Sequence, residues 1–277
     1  MIDFTGFKGF PSPDRRKDVL SAPREIIAEH ASGRSVHVYL DSPQLIGQGH
    51  FGVIYAVTAR TVGIRPHFGH EVPFDHVRRA HESSAVIKVF YEEKQAQSAF
   101  SLYDVCKDAG LHVATTYRLG PKEKTIIMTE FGTDGRYAVS GNNWSVGADV
   151  LEKNKLDRIE NWDALLAQLF TEPAVFDEKQ NMIAGSDVLR ATAHGIELQP
   201  DVYFFITSVE KNPSIEAVAG DFDLVMHPSK LPRRQLLEHN IKALGSSCMQ
   251  FVKRFVREDA QKEHLDKLFK VCKKLME

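Results

Sequence analysis

The chain has 277 residues, of which 43% are hydrophobic and 26% charged. Those proportions exclude wholesale disorder, collagen and coiled coil, and they suffice for one large domain or two modest lobes with a sizeable core. No run approaches the roughly 18 apolar residues of a membrane-spanning helix. The opening MIDFTGFKGF lacks the basic-then-apolar layout of a secretory signal. Cys106, Cys248 and Cys272 make neither a disulfide framework nor a zinc spacing, so a reducing, cytoplasmic setting is expected. The net charge of −2 hides an asymmetry: residues 229–277 carry twelve Lys and Arg against six Asp and Glu, a net of +6, and the rest of the chain is −8.

Residues 1–34 read as an N-terminal arm, irregular over 1–21, with PREIIAEH (23–30) a short helix carrying Pro in its first turn. From Ser35 the pattern alternates. SVHVYL and then QLIGQGHFGVIYAVTA give β-runs joined by glycines. Residues 60–84 are polar and rich in His, Arg and Pro, and read as an insertion. Its His67, His70, His76 and His81 lack a carboxylate or Cys framework, so a solvated loop is expected there rather than a metal site. AVIKVFY (85–91) is a β-branched strand. Residues 92–110 are helical, with Ala99, Leu102, Tyr103 and Cys106 on one face and Gly110 as the stop, and KTIIMTEFG (124–132) is another strand.

Residues 133–148 read as a connection. Helices are expected over 149–170 and about 184–194, and 202–225 reads as two strands around Lys211-Asn212-Pro213. Helices return from about 233 to the end, with a break at Gly245. The expected class is α+β: a β-rich N-lobe over 35–132 and a mostly helical C-lobe over 133–277, with a cleft between unlike lobes.

Four segments carry chemistry. Gly47-Gln48-Gly49-His50-Phe51-Gly52-Val53-Ile54 fits G-x-G-x-x-G-x-V with Ile last. Glycines there let backbone amides reach phosphate oxygens. A dinucleotide site needs a helix directly after the glycines, whereas VIYAV reads as a strand. Ala85-Val86-Ile87-Lys88 matches V-A-I-K, whose lysine pairs with the α/β-phosphates. Ile126-Ile127-Met128-Thr129-Glu130-Phe131-Gly132 reads as an apolar strand. Gly220-Asp221-Phe222-Asp223 is similar to D-F-G after a hairpin. Taken singly, each has an ordinary explanation: a tight hairpin, an edge-strand lysine, turn carboxylates. All four occur in order and on suitable elements.

On those residues the chain resembles the protein kinase-like superfamily, specifically over about 45–132 and more weakly over 194–225. The resemblance implies a two-lobed fold, ATP with Mg²⁺ or Mn²⁺, and γ-phosphoryl transfer. By carry-over, Gly47, Gly49, Gly52 and Ile54 cover the nucleotide and Lys88 holds its phosphates. Thr129 takes the gatekeeper position, Glu130, Phe131 and Gly132 present backbone to adenine, and Asp221 holds the metal with help from Asp223.

The pattern also departs from the family. Where H-R-D-x-x-x-x-N would lie, the chain reads His194 to Phe205. Aligned on Pro200, the catalytic aspartate falls on Glu197 and the metal-binding asparagine on Val202, while Asp201 can take either place if the loop is shifted. The acid that pairs with Lys88 is open among Glu92, Glu93, Gln95, Gln97 and a remote residue. No A-P-E motif follows, so the C-lobe is reduced.

A stripped lobe of this kind looks like the atypical kinases that bacteria deliver as effectors, which would place the chain in a host cytosol. Lys230, Arg233, Arg234, Lys253, Arg254 and Arg257 form a candidate cluster for a polyanion such as an inositol polyphosphate or a phosphoinositide surface. Nucleic acid is the less expected partner. GQGHFGVIY, IKVF and MTEF look more like protein kinases than small-molecule kinases, which implies a protein Ser, Thr or Tyr hydroxyl as acceptor, with Ser/Thr type the expected one. The alternatives are a pseudokinase scaffold and a kinase of a lipid or other small molecule.

Overall fold

Val38, Leu40, Val53, Tyr55, Val57, Ala85, Ile87 and Val89 recur at every second position along three strands, and all are nearly solvent-free. Period-two spacing puts such a set on one face of a sheet. Here the sheet closes on itself, and that face becomes its interior.

The computed structural model describes residues 22, 24–30, 35–49, 51–63, 81–114, 116–119, 125–129, 136–141, 148–178 and 182–277. The expected arm over 1–21, residues 64–80 of the insertion and Glu130, Phe131 and Gly132 lie outside them, as does most of the 133–148 connection. The chain forms two compact units.

The first unit spans the described residues up to Phe100 together with 116–129. Its strands are β1 (Glu25–His30), β2 (Ser35–Gln48), β3 (Gly52–Gly63), β4 (His81–Phe90), β5 (Thr116–Leu119) and β6 (Thr125–Thr129). They close into an antiparallel barrel in the order β1-β2-β3-β4-β6-β5. Residues 23–30 are therefore not the expected short helix. Helix propensity in so short a segment is marginal without packing. As a strand, β1 uses its backbone on both sides, pairing Glu25↔Tyr39 to Glu29↔Ser35 with β2 and Ala28↔Leu119 to His30↔Tyr117 with β5. That pairing leaves the sheet without an open edge. The 60–84 insertion is also shorter than expected, because β3 runs to Gly63 and β4 starts at His81.

The second unit holds Ser101–Ala114 and residues 136–277. Helix α1 (Glu93–Asp108) leads into it and ends where expected, beside Gly110. Strands β7 (Arg136–Val139), β11 (Tyr203–Ser208) and β12 (Glu216–Ala219) form a three-stranded sheet in the order β12-β11-β7. The expected hairpin around Lys211 is β11–β12. Short ladders join β8 (Val175–Phe176) to β9 (Met182–Ala184), and β10 (Glu197–Leu198) to β13 (Val225–Met226).

The helices expected over 149–170 are two: α2 (Ala148–Lys153), and α3 (Trp162–Leu166) running into a π turn at Ala167–Thr171. Residues 154–161 leave the helix to bond elsewhere. Leu156 donates its amide to Phe255, Asp157 to Lys211 and Glu160 to Pro213, and Asn161 clamps both backbone groups of Ile215. Helix α4 (Asp187–Ala193) follows.

The last two helices are α5 (Arg233–Phe255) and α6 (Glu258–Met276), and α5 runs through Gly245 without the expected break. A mid-helix glycine costs only about 1 kcal/mol, and the run from Ala243 to Met249 is buried throughout. The break falls instead at Val256, which is extended and bridges Leu156. Helix α6 is docked rather than free. His264 accepts the Ile159 amide at Nε2 (3.1 Å) and donates from Nδ1 to Ala260 (2.9 Å), while Trp162 donates its indole N–H to the His264 carbonyl (3.0 Å).

Candidate functional site

The glycine hairpin joins β2 to β3. Across the barrel, Gly47 pairs with Ile54, Ile54 with Lys88 and Lys88 with Ile126, so the four form one transverse row. Directly paired residues share one face of a sheet, with Cβ atoms about 5 Å apart between neighbouring strands, so Ile54 and Lys88 share a face. The interior positions are Val53, Ile87 and Val89, so Lys88 and Ile54 stand on the outer face. Strand β4 is paired on both sides, which removes the edge-lysine explanation. Lys88 is only 7% exposed, and its Nζ lies 5.2 Å from the Phe90 ring centroid. A buried lysine beside a glycine hairpin is a chemical match for phosphate.

The three glycines differ in their surroundings. A Cβ on Gly52 would lie 2.3 Å from the Val89 carbonyl oxygen, so packing alone demands glycine there. A Cβ on Gly47 would meet nothing within 4 Å among the described residues, and one on Gly49 only the Gly52 carbonyl at 3.9 Å. Neither has a positive φ. Packing among the described residues thus does not demand glycine at Gly47, while Gly49 donates its amide to the Gly52 carbonyl (2.8 Å) within the hairpin. Gly52→Ala is expected to lower Tm by several degrees through overpacking of about 1–3 kcal/mol. Gly47→Ala is expected to leave Tm in place and weaken ATP binding, with thermal melts and nucleotide titration as the check.

Gln48 donates to the Tyr91 hydroxyl (2.8 Å), and Tyr91 donates its amide to Phe51, which ties the hairpin to the end of β4. Thr129 closes β6 opposite Ala85. Among the residues weighed as partners of Lys88, Gln97 donates to Glu93 (2.8 Å) and Glu92 is exposed. Gln95 keeps a buried Oε1 with no hydrogen-bond partner among the described residues.

In the second unit, residues 197–202 and 220–226 lie side by side. Glu197 and Leu198 pair with Met226 and Val225, and Gln199 donates its amide to Leu224. Gly220 (2.9 Å) and Asp221 (3.3 Å) both donate to the Val202 carbonyl. Asp201 and Asp221 thereby come from neighbouring segments, and Asp201, Asp221 and Asp223 are all half-buried. Ser140, just past β7, donates to Asp201 Oδ1 (2.9 Å). Its approach depends on Gly141, where a Cβ would press within 2.7 Å of the Ser247 carbonyl oxygen. Phe222 is buried and stands edge-on to Tyr103 of α1 at 5.3 Å.

Glu197 sits differently. It is 7% exposed, accepts a hydrogen bond from the Ser229 hydroxyl (2.7 Å) and lies 3.7 Å from His239 Nε2. Asn240 beside it is fully buried, accepting from Leu198 N and donating to Ile196 O. Val202 is fully buried and contributes only its carbonyl to this region.

The expected basic cluster is two groups. Lys230, Arg233 and Arg234 stand at the start of α5 and Lys253, Arg254 and Arg257 at its end, about 30 Å apart at 1.5 Å per residue. Arg254 pairs with Glu152, and Arg257 with Asp157 (3.0 Å) and Asp259 (2.9 Å). Sequence distance hid the first two of these acids, which come from α2 and the segment after it.

One constellation escaped the sequence reading altogether. Asp187, in the first turn of α4, is fully buried and accepts from His112 Nδ1 (3.0 Å) and from the Tyr203 hydroxyl (2.8 Å). The hydrogen bond to Asp187 raises His112 above its ordinary value, while burial and Arg190 oppose the rise. Burial pushes Tyr203 well up and Cys106 up to about 12. No spacing in the chain joins 112, 187 and 203, so only the folded chain reveals the set.

Among the described residues no group of three or more His, Cys, Asp or Glu forms a ready metal cage. Mg²⁺ commonly takes one or two carboxylates plus substrate phosphates rather than such a cage. Among the described residues no helix is long and apolar enough to cross a membrane.

No protein-family model matches the chain, and no curated protein does. One solved structure, the crystal structure of a Helicobacter pylori proinflammatory kinase CtkA, is similar over 83% of this chain and 92% of its own. The identity is 11% and the TM-score 0.36, too low for that likeness to carry an argument.

Proposed function

We propose that the chain is an ATP-dependent phosphotransferase of kinase-like type, acting on a protein Ser or Thr hydroxyl. The observation that carries this reading is the row Gly47–Ile54–Lys88, with nothing among the described residues within 4 Å of a Cβ placed on Gly47 and a nearly buried lysine on a doubly paired strand. Gly47 keeps the outer side of the hairpin clear of a side chain where the phosphates would lie, Gly49 donates its own amide to the Gly52 carbonyl (2.8 Å) and so shapes the turn, and Lys88 neutralises the α/β-phosphates. Asp221 and Asp223 would hold a Mg²⁺ ion, which when bound would supply charge neutralisation for the transferred group. Asp201, oriented by Ser140, accepts the proton of the acceptor hydroxyl. Catalysis on this reading is chiefly positioning and charge neutralisation. The protein acceptor follows from the likeness of the glycine hairpin, IKVF and MTEF segments to protein kinases.

The test is γ-phosphate transfer from ATP to a generic protein acceptor with Mg²⁺ or Mn²⁺, with and without a eukaryotic cell extract. Wild type should transfer and Lys88→Ala should not. ATP binding with no transfer in any condition would make the chain a nucleotide-binding pseudokinase. No ATP binding would remove the reading entirely.

A further inference from the structure

We propose that the His112–Asp187 hydrogen bond is a positioning latch for the Gly220–Asp221 backbone, fastening residues 110–114 to the end of β12. Both partners and every link lie in the second unit. On one side of the 110–114 segment stands α4. Asp187 holds His112, and Arg190 donates to the Gly110 carbonyl (2.5 Å) and to Gly185 (2.7 Å). On the other side stands Ala219. It donates its amide to the His112 carbonyl (2.7 Å), accepts from Ala114 (3.0 Å) and pairs with Tyr203. Gly220 and Asp221 come next in the chain, and each donates to Val202. A fully buried carboxyl on α4 is therefore linked, through one imidazole and one peptide unit, to the residue before Gly220.

The link is sensitive to charge. The His112 side chain is 47% exposed and Asp187 is sealed, so bulk protons reach the anchor through His112. Asp187 receives a hydrogen bond at each oxygen, so Nδ1 carries the proton in that bond. The groups facing His112 are Asp187 and Arg190 from α4, Tyr203 from β11, Glu172 after the π turn and Cys106 from α1, through Asp187. Burial lifts Tyr203 and Cys106, so both stay neutral where His112 titrates. A histidine raised in the folded state stabilises it through its charged form. The latch is fully engaged below the ordinary histidine value of 6.5 and loosens as pH rises through the raised one.

The role of Asp221 in metal binding rests on the proposed phosphotransferase, but the latch does not, and its test reads the backbone directly. Amide hydrogen-exchange protection at Ala219 and Gly220 is measured on the full chain from about pH 5.5 to about pH 8.5, corrected for intrinsic exchange. Wild type should lose roughly threefold to tenfold in protection across the window. His112→Asn keeps a donor near the Nδ1 position and cannot titrate, so its protection should stay high and flat. His112→Ala should be low and flat at an unchanged fold by circular dichroism. A pH slope that survives in His112→Asn, or protection unmoved in His112→Ala, overturns the latch. Loss of phosphoryl transfer in wild type would leave either result standing.

Discussion

Asp221→Ala is expected to reduce Mg²⁺-dependent phosphoryl transfer by about 10²–10³-fold or to background. The backbone bonds at this position, from the Asp221 amide to the Val202 carbonyl and from the Leu224 amide to the Asp221 carbonyl, are kept by alanine. What it would give the proposed reaction is a half-buried carboxylate beside the segment carrying Asp201. Charge placed where it develops in the transition state is the largest single contribution in such reactions, and alanine removes it whole. Asp201→Asn should also lose transfer at near-normal Tm, because an amide still receives the Ser140 hydrogen bond but takes no proton. Glu197→Gln should do the reverse. Its carboxyl is occupied by Ser229 and lies near His239 in a sealed pocket, so stability should suffer more than turnover. Initial rates with saturating nucleotide, alongside thermal melts of the same preparations, decide among the three. An Asp221→Ala chain that transfers at the wild-type rate would end the assignment.

Local signals made part of this legible. The strands around the glycines, the 85–91 strand and the 92–110 helix followed from periodicity and punctuation, and each lies where expected within a few residues. The partners of those elements did not follow. PREIIAEH has helix-like spacing, and only the presence of β2 and β5 on either side makes a strand of it. Gly245 looks like a break until the burial of its whole neighbourhood is known. The candidate site divides in the same way. Gly47, Ile54 and Lys88 were joined by spacing and are joined by register. Ser140, which reaches Asp201 across 61 residues, belongs to no motif. The basic residues failed as a cluster because a helix spreads sequence neighbours along its length. Their partners Glu152 and Asp157 are about 100 residues away in the chain.

The largest loss of stability is expected at Asn240. Its side chain is fully buried on α5 and serves three groups: it accepts from Leu198 N (2.9 Å) and donates to Ile196 O (2.9 Å) and to the Thr192 hydroxyl (3.3 Å). Asn240→Leu nearly keeps the volume and strips the partners from one buried amide and one buried carbonyl. At about 1–3 kcal/mol for each orphaned group the cost is about 2–6 kcal/mol, a large part of the 5–15 kcal/mol typical of a folded chain. Asn240→Asp separates the two contributions. One oxygen still accepts from Leu198, while the other turns an acceptor toward the Ile196 carbonyl, so the variant should be less stable than Asn240→Leu at neutral pH. A buried carboxyl without a counter-charge favours its protonated form, which restores a donor toward Ile196. The Asn240→Asp chain should therefore regain stability relative to wild type as pH falls, whereas Asn240→Leu should keep a constant deficit. Urea unfolding of the three chains across that range measures both slopes. An Asn240→Leu chain as stable as wild type would mean that the 196–198 segment is held by β13 and His239 alone.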